Sequence, residues 1–165
     1  MIEAGTLIFF CGKMGSGKST KSKEFAIENN AILISEDEWL TILYPQQISS
    51  FEDYIKYSAL LRPLIKLHVQ KILLTGTNIV LDFPANTSRQ RTWFKNITSE
   101  INTKHKLVFL DISDKKCIEQ IAKRRLEQPE RSAFDTEEMF HQVTKYFESP
   151  VESEQLQITI VSENV

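Results

Sequence analysis

Cysteine is scarce in this chain of 165 residues: two in all, Cys11 and Cys117. Two cysteines that far apart offer neither a disulfide framework nor metal-ligand spacing, and both read as small buried hydrophobes. Excess charge is also missing, the formal net charge being -2. No global positive field therefore draws the protein to nucleic acid or to an anionic membrane. No uninterrupted apolar run approaches the roughly 20 residues that span a bilayer, and the N-terminus lacks the basic-then-apolar order of a signal peptide. The expectation is a soluble, cytoplasmic protein. Internal repeats, low-complexity segments and linker-like stretches are absent, which leaves a single domain over 1–165.

Glycine is sparse too, yet three of the five glycines fall within six residues. Gly12-Lys13-Met14-Gly15-Ser16-Gly17-Lys18-Ser19 fits GxxxxGK[ST] at every fixed position and is followed by Thr20. A loop that wraps phosphate must turn its backbone N–H groups inward, and side chains would obstruct that concavity. Lys18 can then reach β- and γ-phosphates as a mobile point charge, and the short Ser19 hydroxyl can ligate Mg2+ on the same oxygens. The helix beginning near Gly17 adds unpaired N–H groups and its positive dipole end. The loop follows Thr6–Cys11, a near-continuous apolar run of the kind that forms a central parallel strand. Residues Gly12 to Thr20 are thus the expected nucleotide site.

Strand and helix signals alternate about five times along the chain, calling for a parallel sheet with helices on both faces. Ala31–Ile34 is a second strand, ending at Ser35-Glu36-Asp37-Glu38-Trp39. Acids there lie at the carboxyl edge of the sheet, where open α/β proteins bind ligands, although they also suit the first turn of a helix. A long helix from Phe51 to Leu74, capped by Ser49 or Ser50, passes through Pro63, where a kink is expected. His68 shares a face with Leu61, Ile65 and Ile72 and reads as a core histidine. Tyr54, Ser58 and Arg62 form a second stripe that is either solvated or turned to a ligand.

Asn78–Asp82 is the third strand, and a carboxylate ending an apolar strand suits the Mg2+ hydration shell opposite Ser19. Thr87 or Ser88 caps a helix carrying Arg89, Arg91, Trp93, Phe94 and Lys95. Basic residues between aromatics can hold single-stranded nucleic acid, but this cluster is about two turns long in a slightly acidic protein. Lys106–Asp111 is the fourth strand. The helix after it, capped by Ser113, runs to Lys123-Arg124-Arg125 and stops before Pro129, an arrangement suited to a lid over 123–135. Thr136 caps a further helix through Phe147, and Leu156–Val161 alternates like a half-exposed edge strand.

These segments together resemble the small P-loop kinases of the AAA-ATPase-like and zeta-toxin-like group, related to polynucleotide kinases and chloramphenicol phosphotransferases. The marks are the phosphate loop, Ile34–Trp39, Val80–Thr87 with Arg91 and Trp93, and the helix from Cys117 to Arg124. The resemblance implies an α/β P-loop NTPase of the nucleoside-kinase-like type, a three-layer sandwich on a five-stranded parallel sheet in order 2-3-1-4-5. It implies ATP and Mg2+ as cofactors, Asp82 with Ser19 at the metal, and Asp37 as general base. Arg124 falls near the group's lid arginine, with Arg125 and Arg131 as neighbours that leave the assignment open. Trp39, Tyr54, Arg62, Asn86 and Arg91 become candidates for the acceptor side. The expected reaction is γ-phosphoryl transfer to a hydroxyl of a small molecule or nucleotide sugar. A polynucleotide 5'-end kinase, which the net charge disfavours, and an ATP-binding regulator without an acceptor are the alternatives.

Overall fold

The computed structural model describes residues 1–163. Five strands, β1 (Thr6–Gly12), β2 (Ala31–Ser35), β3 (Asn78–Asp82), β4 (Lys104–Asp111) and β5 (Ile158–Ser162), form one sheet in the order β2-β3-β1-β4-β5. Every pairing is parallel, as the resemblance implied. A central parallel strand is covered on both faces and so can be apolar at every position. In β1 all residues after Thr6 are buried, and successive side chains feed opposite layers. Leu7, Phe9 and Cys11 join the larger core with α3 (Phe51–Leu74) and α4 (Ser88–Ser99), where Phe9 stacks on Phe94 at 4.3 Å. Ile8 and Phe10 pack with Val80, Val108 and Leu110 under α1 (Lys18–Glu28). Cys117 and Ile121 of α5 (Asp114–Glu127) pack with Phe140 of α6 (Glu137–Thr144) in a smaller cluster.

Caps follow the short polar side chains. Ser50 starts α3 by accepting from the Asp53 N–H, and Thr87 forms a full capping box with Gln90 at the start of α4. Helix α3 continues through Pro63, whose missing N–H would have bonded the carbonyl of Ala59. Ala59 is exposed, so water can take that carbonyl. The buried stripe of α3 is Leu61, Ile65, Val69 and Leu73, an i, i+4 series that turns His68 outward. His68 is exposed, correcting its reading as a core residue. Helix α6 ends at Thr144, short of the expected Phe147. Strand β5 is an edge strand, but only Val161 is partly buried, so it is more exposed than an alternating pattern implies. Among the described residues no helix is long and apolar enough to cross a membrane.

Candidate active site

The carboxyl ends of β1, β2 and β3 open into one cleft of about 990 Å3, shared with α5 and the segment after it. Its floor is the loop from Lys13 to Gly17. Gly15 has φ +78°, and a Cβ there would lie 2.6 Å from the carbonyl oxygen of Cys117 and from the Ile121 side chain. Only glycine lets the loop turn and also sit against α5. Gly17, at φ +94°, caps α1 and hands the chain into the helix. The loop is anchored from β3's side, since the Gly12 N–H donates to Asn86 Oδ1 at 3.0 Å. Lys13 pairs with Asp114 at 2.6 Å at the start of α5.

Lys18 Nζ donates to the carbonyls of Gly12 at 2.5 Å and Lys13 at 3.0 Å. Burial pushes its ammonium down to about 8, against the attraction of Cys11 and Asp82. Ser19 and Thr20 are exposed in the cleft. Asp82, at the end of β3 opposite Ser35, is raised above the usual carboxylate range. Burial is the main cause and the charge of Asp37 adds to it, while Lys18 and Lys23 act the other way. Among the described residues the Asp82 carboxylate accepts no hydrogen bond, and its oxygens, like the Ser19 hydroxyl, are hard ligands of the kind that suits Mg2+.

Asp37 is exposed in the first turn of α2 (Glu36–Leu43), which Ser35 caps through the Glu38 N–H. The neighbouring Glu36 escaped the sequence reading. It is 2% exposed, and its carboxylate accepts from Tyr54 Oη at 2.5 Å and Ser58 Oγ at 2.7 Å. Burial raises its carboxyl, which those two hydroxyls and Arg62 partly offset. The Tyr54–Ser58 stripe therefore faces a buried carboxylate and ties α2 to α3. Arg62, the third member, lies over the Trp93 ring at 5.6 Å, and its buried Nε has no hydrogen-bond partner among the described residues. Trp39 packs partly buried against the larger core.

Arg124 and Arg131 both line the cleft, and Arg125 does not. They converge on the buried Asp135. Arg124 grips it through Nε and Nη2 at 2.7 and 2.6 Å, and Arg131 Nε approaches at 3.0 Å. Asp135 also went unrecognised in the sequence, where its spacing of four from Arg131 was the available signal.

Arg91 overturns its expected place on the acceptor side. It is 1% exposed, donates to both carboxylate oxygens of Glu154 at 2.7 and 2.8 Å, and bonds the Ala85 carbonyl at 3.0 Å. Its guanidinium is consumed inside the fold. On the same helix Phe94 is fully buried and Trp93 packs on Phe83, so the interleaved aromatics belong to the core.

A parallel sheet in this order, with a GxxxxGK[ST] loop between its first strand and first helix, defines a P-loop NTPase of the kinase-like type. The chain matches the AAA_33 family model, described as an AAA domain, over residues 7–150, and belongs to that family. No curated protein matches the chain. Among solved structures it is similar to a putative kinase from Chloroflexus aurantiacus J-10-fl, with a TM-score of 0.73 at 17% identity over 98% of this chain and 87% of the other. The Mycobacterium tuberculosis APS kinase CysC, solved in complex with AMPPNP and APS, gives a TM-score of 0.61 at 17% identity, covering 98% and 90%. A gluconokinase from Sinorhizobium meliloti 1021 gives 0.57 at 14% identity, covering 98% and 84%. These likenesses establish the shared fold.

Proposed function

We propose that the protein is an ATP- and Mg2+-dependent phosphotransferase that moves the γ-phosphoryl group to a hydroxyl of a small molecule. The observation that carries this reading is the convergence of Lys18, Ser19, Asp37, Arg124 and Arg131 on the walls of one cleft. Phosphoryl transfer asks mainly for positioning and for charge opposite the transferring oxygens. Lys18 meets the β/γ bridge once phosphate oxygens replace its two carbonyl partners. Ser19 and Asp82 would hold Mg2+, which when bound neutralises charge on those oxygens. Asp37 accepts the proton of the acceptor hydroxyl, whose oxygen bonds to the γ-phosphorus as ADP leaves. Arg124 and Arg131, in a lid over 123–135, face the charge that spreads over the γ-oxygens.

The kinases among the structural neighbours support this reaction class, and they differ too much in sequence to supply a substrate. An acceptor screen with labelled ATP over alcohols, nucleosides, amino sugars and oligonucleotides tests it. Label transferred to an acceptor is the expected result. Hydrolysis or binding of ATP with no acceptor in any class would replace the reading with that of a nucleotide-binding regulator.

A further inference from the structure

Beside the large cleft lies a second cavity of about 500 Å3 that shares Asp37 and Arg131 with it. Its remaining wall comes from α2, the turn after it and α3, and sets the apolar and aromatic side chains of Leu40, Tyr44, Pro45, Ile48 and Tyr54 beside the uncharged polar groups of Thr41 and Gln46. The two cavities differ in charge. Among the described residues, five lysines and two arginines line the large cleft, whereas Arg131 is the single cation of the small one, and its Nε is engaged by Asp135 at 3.0 Å. The aromatic walls are held in place. Tyr44 packs on Tyr57 with ring centroids 4.3 Å apart, and the Tyr54 hydroxyl is fixed on Glu36 at 2.5 Å. The Glu36 carboxylate lies directly behind that wall, so two acids and one shared guanidinium set the local field.

A phosphate group gives up its hydration only where cations or several N–H donors replace it. The small cavity has too few. Fixed rings and aliphatic side chains instead suit the flat or apolar face of a ring, and the volume falls within the range of small-molecule sites. Resting on the phosphotransferase reading above, we infer that this cavity binds the acceptor and selects an uncharged, ring-bearing alcohol. A hydroxyl at its mouth would meet Asp37, one of the two residues that both cavities share. Phosphorylated compounds, including nucleotide sugars and polynucleotides, are disfavoured.

The test compares kcat/KM of the full chain for nucleosides and neutral monosaccharides with that for their phosphorylated counterparts and for 5'-hydroxyl oligonucleotides. Turnover of an uncharged ring, with at least about 100-fold loss when it carries a phosphate away from the reacting hydroxyl, is expected, because an unpaired charge in a site costs that much or more. Tyr44→Ala should raise the acceptor KM about tenfold and leave the ATP KM unchanged, while Tyr44→Phe keeps the ring and both constants. Thr41→Lys puts a cation on an exposed part of the wall, so it tests the same point without touching the core. It should shift the preference toward phosphorylated compounds about tenfold. Preference for a phosphorylated acceptor in the unmodified protein overturns the inference and leaves the phosphotransferase reading standing. So does an acceptor KM indifferent to both Tyr44→Ala and Thr41→Lys. Failure of every compound to accept phosphate overturns both.

Discussion

Lys18 shares its ammonium between the Gly12 and Lys13 carbonyls, and burial brings it from an ordinary 10.5 down to about 8. Because the folded value lies below the unfolded one, the unfolded chain holds more protons between those limits. This group therefore adds stability as pH rises from about 8 to 10.5, and its burial penalty is fully present below 8. Phosphate oxygens reverse the balance by favouring the charged form. Nucleotide binding should then take up a proton above pH 8, and ATP affinity should fall by up to about tenfold per pH unit there. Calorimetry at pH 7 and pH 9 in buffers of different ionisation enthalpy measures that uptake, and equal uptake at both would contradict it. Asp37 makes the complementary prediction. Asp37→Asn keeps size and removes the proton acceptor, so phosphoryl transfer should drop about 10²- to 10⁴-fold with ATP affinity nearly unchanged. Loss of both together would give Asp37 a structural role. Asp37 was legible because acids follow directly on the end of an apolar strand at a ligand-binding edge. Glu36 was illegible because adjacent helix positions lie about 100° apart, and only packing against α3 decides which acid turns inward.

At the scale of elements, the strands could be read because each buried parallel strand is an apolar run bounded by polar residues, as Asn78–Asp82 illustrates. Which residues of a helix lie at the margin of its buried face could not, and His68 beside Val69 marks that limit: the same period admits either until a neighbouring element packs. The region from Arg124 to Asp135 poses a similar problem, since basic residues at a helix end are common whatever their role. Here the partner is specific. Burial alone would raise the Asp135 carboxyl, but hydrogen bonds from Arg124 and Arg131 more than offset it and hold the group below the usual carboxylate range. The stability it provides is present above that range and is lost as pH falls through the lowered value. Asp135→Asn should release both guanidiniums from a fixed geometry. We expect kcat to fall about ten- to hundredfold, as small misplacements of transition-state groups do. Hydrogen exchange should quicken over 128–136 in the same variant. Steady-state kinetics with unchanged kcat would mean that the arginines hold their positions without Asp135.

Across the whole molecule, the segment after α6 crosses back over the sheet to reach β5 and is tied to α4 on the way. Glu148 donates its N–H to the Asn86 carbonyl at 2.8 Å and accepts from the Ser88 N–H at 2.8 Å. Lys95 reaches the Glu154 carbonyl at 2.8 Å, and the Glu154 carboxylate takes Arg91 in two bonds. Asn86 in turn holds Gly12 at the start of the phosphate loop, so the strap and the loop meet at one residue. The sequence could not reveal this, because Arg91 and Glu154 are 63 positions apart and each looks like a surface charge. Removing one partner leaves a buried charge without compensation. Glu154→Ala should therefore cost about 3 kcal/mol, the lower end for such pairs since Glu154 keeps some exposure. For a domain of this size that is roughly a 10 °C fall in the melting temperature. Replacing both partners by methionine removes the charges together, and such exchanges of buried pairs are often neutral. Arg91→Met with Glu154→Met should accordingly recover much of the loss seen in Glu154→Ala. Thermal melts of the two variants decide the matter. If the double replacement melts as low as Glu154→Ala or lower, the contribution of the pair lies in its directed hydrogen bonds to the strap, and the cost of a stranded guanidinium is the lesser effect.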